Sequence, residues 1–107
     1  MKILYHPEFA QDVLRFAGEY EAISPRLGTR FRTEVDGALV RIKTEATAAG
    51  HFLNTGSSIV TDVRRRNLVS FPHFVLYGLH ADLMVIGALI PSASDPLTWL
   101  DRFSRPA

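Results

Sequence analysis

The chain has 107 residues, of which 47% are hydrophobic and 21% are charged, and its formal net charge at pH 7 is +1. This length and balance are typical of one folded domain and not of a disordered chain. The small net charge gives no overall attraction to nucleic acid, so such binding would require a local basic patch. The chain contains no cysteine, which excludes a disulfide framework and thiolate metal sites.

Near the N-terminus, residues 3–5 form an apolar run that is too short for the core of a secretory signal. No run along the chain approaches the length of a transmembrane helix. We therefore expect a single cytoplasmic domain, residues 1–107, with no membrane partner.

The first elements predicted along the chain are a strand and a helix. Residues 2–6 are rich in β-formers. Pro7 suits the first position of a helix, because its missing N–H would be unpaired there. Residues 7–21 form the predicted helix, whose apolar residues recur at helical spacing: Phe9, Val13, Phe16, Ala17 and Tyr20.

A second helix is predicted to start at Ser24 and Pro25, which suit the capping and first helical positions. Its apolar residues recur at spacings of four and three, and Gly50 is its expected end. Gly37 costs about 1 kcal/mol in helix propensity relative to Ala, so we expect close packing against the first helix there. The short connection, about four residues long, predicts an antiparallel helix hairpin.

The second half of the chain predicts three strands in succession. Residues 51–58 are loop-like, and a strand is expected over residues 59–70. Apolar runs at residues 71–77 and 83–90, separated by a turn, predict two more strands. The fold class is therefore α+β, in the order β-α-α-β-β-β with a short final helix. The helix hairpin is expected to pack on one face of a small, mainly antiparallel sheet.

The last predicted strand, residues 83–90, is apolar on both faces. Alternation assigns one set to each face: Leu83, Val85 and Leu89 against Met84, Ile86 and Ile90. Two helices can cover only one face. The other is covered either by residues 96–103 with the loop at 51–58, or by another chain that docks there. Docking would also make the isolated chain poorly behaved.

Arg64, Arg65 and Arg66 form the basic cluster of the predicted second strand. Alternation places Arg64 and Arg66 on one face and Arg65 on the other. Three interpretations stay open: charge that protects an edge strand, an anion-binding patch, and a docking site for acidic side chains.

The histidines lack the spacing of metal ligands, so no metal site is expected. His73 and His80 should point to opposite faces of one strand, and either is a conceivable general base. Trp99 and Phe103, four residues apart, should dock the final helix on the core. There is no phosphate-binding loop or nucleophile–base pattern, and no cofactor is expected.

Taken together, several short motifs resemble the RelE/ParE superfamily of type II toxin–antitoxin toxins, most closely its ParE branch. The resemblance covers residues 2–103. Its motifs are Tyr5-His6-Pro7-Glu8, Glu19-Tyr20, Leu27-Gly28-Thr29-Arg30-Phe31, Val63-Arg64-Arg65, Phe71-Pro72-His73, Tyr77, Asp82, residues 85–90, and Asp95-Pro96 before Trp99. It implies a toxin, often linked to plasmid stabilisation, that arrests growth by binding and inhibiting DNA gyrase. It also implies a cognate antitoxin as partner, and no direct sequence-specific DNA binding.

The chain departs from the family pattern at two places. Pro91, Ala93 and Ser94 stand where ParE-like chains often carry a His and one or two Arg. The tail offers Trp99, Arg102 and Arg105 where RelE-like ribonucleases use a Tyr or His with several Lys or Arg.

Two alternatives to the gyrase inhibitor therefore stay open. Whether the chain is an enzyme is undecided, although the residue pattern favours a protein that is not an enzyme. One is a RelE-like ribosome-dependent mRNA endoribonuclease, and the other is a degenerate, non-toxic member that retains antitoxin binding. Catalytic candidates for a ribonuclease are Arg65, His73, His80 and Arg102. Candidate residues for contact with a target or antitoxin are Arg64, Arg65, Arg66, Met84, Ile86 and Trp99.

Overall fold

The computed structural model describes residues 2–47 and 62–104. Its elements, in chain order, are β1 (Lys2–Tyr5), α1 (Phe9–Ile23), α2 (Pro25–Thr44), β2 (Asp62–Asn67), β3 (His73–His80) and β4 (Leu83–Pro91). A 3-10 helix (Pro96–Trp99) and α3 (Asp101–Ser104) follow, and together they form the C-terminal segment, residues 96–104. The predicted α+β class and element order are confirmed. The expected helix end at Gly50, the loop at 51–58 and residues 59–61 of the second predicted strand lie outside the described residues.

The helix hairpin is tighter than the sequence predicts, because Ser24 alone separates α1 from α2. Its extended backbone, with φ −162° and ψ 132°, reverses the chain, and Pro25 occupies the start of α2 as predicted. The Ser24 side chain makes no capping hydrogen bond. None of the described helices is both long and apolar enough to cross a membrane.

The two helices approach most closely at Gly28, not at Gly37 as predicted. A Cβ atom at Gly28 would lie 2.8 Å from the Cβ atom of Glu21 on α1. A Cβ atom at Gly37 would meet only the Arg41 guanidinium, at 3.9 Å. Gly28 therefore lets the helices pack closely, and Gly37 has no such role.

The sheet has the strand order β1-β4-β3-β2. β1 runs parallel to β4, while β3 is antiparallel to both of its neighbours, β2 and β4. Both helices cover one face, here called the helix-side face. The core beneath them is one apolar cluster that includes Phe31, Val35 and Ile42 of α2 and Met84, Ile86 and Leu89 of β4.

A β-bulge at Gly87 changes which side chains of β4 share a face. Leu76 pairs with Ala88 while Tyr77 pairs with Ile86, so Gly87 is an extra residue with no partner on β3. The alternation reverses after the bulge. Leu89 therefore joins the cluster under the helices, and Ile90 lies on the other face. The faces predicted for Leu89 and Ile90 were wrong, because simple alternation assumes an unbroken ladder.

The other sheet face, here called the second face, is covered by the C-terminal segment. Its cluster contains Val63, Phe74, Leu76, Ala88 and Ile90 of the sheet together with Phe103 of α3, and Trp99 packs against it. Phe103 is only 2% exposed. The chain itself thus supplies a cover for this face, as one of the two sequence interpretations expected. The expectation of poor behaviour, which assumed an open apolar face, loses its basis.

Candidate functional site

The arginines of the basic cluster lie on β2, one of the two edge strands of the described sheet, and point to both of its faces. Arg65 lies on the second face, where its guanidinium carbon is 4.2 Å from the centre of the Phe74 ring. Arg64 and Arg66 lie on the helix-side face, near Tyr77. Both guanidiniums are close enough to the Tyr77 phenol to oppose the rise that burial causes in its pKa. The predicted alternation of the three arginines is therefore confirmed.

The two helix-side arginines differ in how neighbouring acceptors hold them. Arg64 Nε donates to Asp62 Oδ2 at 3.1 Å, and its Nη1 donates to the Thr47 carbonyl at 2.9 Å. Arg66 Nη2 lies 3.9 Å from Glu45 Oε2, which is an ion pair without a hydrogen bond, and Arg66 Nε and Nη2 are buried with no hydrogen-bond partner among the described residues. These contacts connect β2 to the chain at the end of α2.

Tyr77 lies beneath this pair of arginines and ties β3 to the chain that follows α2. Its hydroxyl donates a 2.6 Å hydrogen bond to the Ala46 carbonyl, and the residue is fully buried. Burial raises the pKa of the Tyr77 phenol, and the guanidiniums of Arg66 and Arg64 oppose that rise. The phenol is therefore a neutral hydrogen-bond donor with a structural role.

On the second face, the Arg65 guanidinium lies over the ring of Phe74, which belongs to the second-face cluster. Arg65 Nε and Nη2 donate to Asn67 Oδ1 at 3.1 and 2.9 Å, which helps to hold the guanidinium in place. Phe74, beneath that guanidinium, belongs to the same cluster against which Trp99 packs. Arg65 and Trp99 therefore both border the second-face cluster.

The histidines proposed as general bases lie at opposite ends and on opposite faces of β3. His73 is 5% exposed, and its ring centre is 4.7 Å from that of Phe16 and 5.2 Å from that of Phe31. Burial lowers the pKa of His73, and the charge of Glu19 only partly opposes this. His80 is exposed at the far end of the strand, about 23 Å away at strand rise. The two side chains cannot act on one phosphate.

Arg102, the other cationic candidate for catalysis, is bound within the fold. Its Nη1 donates to Asp12 Oδ2 at 2.8 Å and to the Gly87 carbonyl at 2.9 Å. Its Nε is 3.7 Å from Glu8 Oε2. The structure therefore does not bring Arg65, His73, His80 and Arg102 together. Sequence reasoning missed Asp12 as the partner of Arg102, because the two are ninety positions apart and no local pattern links them.

Two of the predicted contact residues are not on the surface. Met84 and Ile86 are fully buried in the cluster under the helices, so their prediction as surface contacts was wrong. It followed from assigning them to an open face, whereas β4 turns them toward the helices. Trp99 is half-buried against the second-face cluster.

The departures from the family pattern lie in the turn after β4. The Ser94 N–H donates to the Pro91 carbonyl at 2.9 Å, which closes a tight turn, and Ala93 is exposed within it. This turn directs the chain into the C-terminal segment. Within the described ranges, no group of three or more histidine and acidic side chains is placed to hold a metal ion.

No protein-family model and no curated protein matches the chain. The fold is similar to a chain in the solved structure of the chromosomal ParDE TA system from P. aeruginosa, with a TM-score of 0.66 and 15% sequence identity. The alignment covers 85% of this chain and 95% of that chain. At this identity the similarity establishes the fold: the chain has the architecture of a protein found in a toxin–antitoxin (TA) system.

Proposed function

We propose that the chain is the toxin of a type II toxin–antitoxin pair, of the ParE kind. The observation that carries this proposal is the similarity to a ParDE chain over 95% of that chain's length. The order of the Phe71-Pro72-His73, Tyr77 and Asp95-Pro96 motifs supports it independently, because these motifs resemble the ParE branch.

In this proposal the toxin acts by binding a target and not by cutting a phosphodiester bond. RNA cleavage needs an acid, a base and cations around one phosphate. The buried ring of His73, the remote His80 and the Asp12-bound Arg102 do not supply that arrangement. The RelE-like alternative therefore has no supporting geometry among the described residues.

The target of this binding is DNA gyrase, and a cognate antitoxin holds the toxin inactive. Arg65 and Trp99 are the residues we assign to contact with one of these partners, because both border the second-face cluster at the surface. Arg64 and Arg66 keep a supporting role at the edge of β2, where Asp62 accepts a hydrogen bond from Arg64 and Glu45 forms a longer ion pair with Arg66.

Induced expression of the chain alone in a bacterial host tests the proposal, with growth, plasmid supercoiling and mRNA integrity followed together. We expect growth arrest with lost supercoiling and intact mRNA. Arrest with cleaved mRNA would replace the proposal with the ribonuclease. Normal growth in cells that contain the folded chain would favour the degenerate member and focus attention on Pro91, Ala93 and Ser94.

A matched pair of variants separates a specific contact from loss of charge. Arg65→Gln should weaken the arrest, because it removes the cation on the second face. Arg15→Gln removes the same charge from the surface of α1, where Arg15 is 3.6 Å from Glu19, and should leave the arrest unchanged. Equal effects of both substitutions would remove Arg65 from the proposed contact surface.

A further inference from the structure

The small net charge conceals a strong division of charge between parts of the fold. Residues 25–47 and 62–67, which contain α2 and β2, carry eight Arg or Lys against four Asp or Glu. The remaining described residues, 2–24 and 68–104, carry three Arg or Lys against seven acidic residues. Contacts of Arg64 and Arg66 with the chain just after α2 hold the two basic elements side by side. A local basic surface therefore exists although the whole chain is nearly neutral.

Three of the exposed cations of α2 form a stripe, namely Arg26, Arg30 and Arg41. Helical geometry separates Arg26 from Arg30 by about 40° and Arg30 from Arg41 by about 20°, so all three share one face. Buried Val35 lies about 180° from Arg26, which places the stripe on the side of α2 turned away from the core. Within the described part of the chain, none of the three forms an ion pair.

The spacing along the stripe suits two strands of phosphates across a groove. Arg26 and Arg30 are separated by about 6 Å of helix rise. The Arg41 guanidinium lies 3.9 Å from the Cβ position of Gly37, so its charge is displaced toward Arg30. The Arg41 charge therefore lies near the level of Gly37, about 10 Å from Arg30 along the helix axis. This separation is comparable with the ~12 Å width of the major groove of B-DNA.

The acidic side chains nearest the stripe do not block it. Glu34 lies on the same face as the stripe, about 40° from Arg30 and about 20° from Arg41, but its Oε1 accepts a 2.6 Å hydrogen bond from the Ser70 N–H. Asp36 lies on a flank of α2, about 100° from buried Val35. The other cations of α2 are engaged elsewhere: Arg32 is 3.9 Å from Glu21, and the Lys43 ammonium is 5.6 Å from the Tyr5 ring centre.

The composition of the stripe favours a phosphate backbone over an acidic protein. Between its arginines lie Thr33, Glu34 and Gly37, and Val40 on the flank is the one large apolar side chain of α2 that is strongly exposed among the described residues. Protein interfaces have a desolvated core of aromatic or aliphatic anchors. Binding to phosphates needs only cations at suitable spacing, and arginine binds phosphate oxygens in a bidentate manner.

We propose that the arginine stripe of α2 binds the phosphate backbone of duplex nucleic acid without reading its sequence. Arg26 and Arg30 contact one strand, and Arg41 contacts the other across the groove. This inference goes beyond the proposed toxin function and does not depend on it, because it rests on the arginines of α2 and not on the similarity to a toxin. Three phosphate contacts give a slope of log affinity against log salt of about −2.7.

Binding of the full chain to a labelled DNA duplex of arbitrary sequence, measured by fluorescence anisotropy at several salt concentrations, tests this proposal. We expect affinity to fall about 40-fold between about 50 and about 200 mM salt. The triple variant R26Q/R30Q/R41Q should bind about tenfold or more weakly at the lower salt concentration, with a slope close to zero. The midpoint of thermal unfolding checks that the variant is folded.

A control variant with the same net charge separates the stripe from general electrostatic attraction. K2Q/R15Q/R32Q removes three cations from outside the stripe and should retain the parental affinity and slope. Equal weakening of both triple variants would overturn the proposal. It would also be overturned if poly-glutamate of matched charge competed as well as the duplex, since the stripe would then be a site for acidic protein.

Discussion

Arg102 Nη1 donates a 2.8 Å hydrogen bond to Asp12 Oδ2, and this pair joins the C-terminal segment to α1. The same guanidinium nitrogen bonds the Gly87 carbonyl, and the same carboxylate oxygen accepts from the Leu89 N–H at 3.1 Å. Pairing of β4 with β1 ends at Ile86. Beyond that point the ion pair therefore supplies the hydrogen-bonding partners that a neighbouring strand would give.

Replacing Asp12 by Ala should destabilise the fold by about 3 kcal/mol, because it leaves the Arg102 charge buried without its closest partner. The side chains of Arg102 and Asp12 are only 13% and 16% exposed. Arg15→Ala provides the control, since the Arg15 side chain is 74% exposed and its ion pair should contribute less than about 1 kcal/mol. Urea unfolding measures both values, and equal losses would contradict a structural role for the Arg102–Asp12 pair.

Gly87→Ala should loosen the C-terminal segment, because the new methyl group would overlap the Phe103 ring. We expect a loss of stability of about 1–3 kcal/mol, as for overpacking in a core. Gly18→Ala is the matched control. Its Cβ would meet nothing within 4 Å, and it should stabilise α1 by about 0.5–1 kcal/mol.

A double-mutant cycle decides whether Phe103 is the cause of the Gly87→Ala effect. Phe103→Ala should itself cost about 3–5 kcal/mol. In that background Gly87→Ala should cost little, since the clash is gone. An unchanged cost would mean that the bulge conformation, and not the Phe103 contact, requires glycine.

Gly28→Ala and Gly37→Ala should have opposite effects although both lie on α2. The first places a Cβ 2.8 Å from Glu21 Cβ, so the helices must move apart at a cost of about 1–3 kcal/mol. The second meets only a flexible guanidinium and should gain about 0.5–1 kcal/mol from helix propensity. Thermal unfolding of both variants provides the measurement, and effects of the same sign would contradict the assigned point of contact.

His73 should make the fold sensitive to mild acid. Burial among aromatic rings lowers the pKa of His73 in the folded state, so below about pH 6.5 the unfolded chain binds more protons than the folded chain. The contribution of His73 to stability is therefore constant above about pH 6.5 and falls as pH decreases toward the folded pKa. The fall is at most about 1.4 kcal/mol per pH unit.

His73→Phe should flatten this part of the stability profile, because phenylalanine cannot be protonated and suits the aromatic surroundings. His80→Phe is the control at an exposed position of the same strand, and the acid sensitivity should persist in it. Urea unfolding from about pH 5 to about pH 8 compares the variants. A His73→Phe profile as steep as that of the parent would assign the acid sensitivity to another group.

Regular periodicity explains why most of the fold was predictable. The helical spacing of Phe9, Phe16, Phe31 and Val35 and the alternation of the arginines on β2 follow from local geometry, and the structure confirms both. The bulge at Gly87 was not predictable in this way. A glycine inside an apolar run is equally compatible with an unbroken strand. The contact that excludes a side chain at position 87 is with the Phe103 ring, which is distant in the sequence.

The candidate site was less predictable than the fold, because it depends on contacts between distant positions. Nothing near Met84 in the sequence indicates which sheet face the helices cover. The pairing of Arg102 with Asp12 likewise arises only when the C-terminal segment crosses the sheet. By contrast, the stripe of Arg26, Arg30 and Arg41 has a helical spacing that could have been recognised from the sequence alone.

The most direct test of the toxin proposal is the supercoiling activity of purified DNA gyrase in the presence of the purified, folded chain. We predict that the chain inhibits supercoiling, that Arg65→Gln inhibits more weakly, and that Arg15→Gln inhibits as well as the parent. Full supercoiling activity at a large molar excess of the folded chain would contradict a ParE-like action on gyrase.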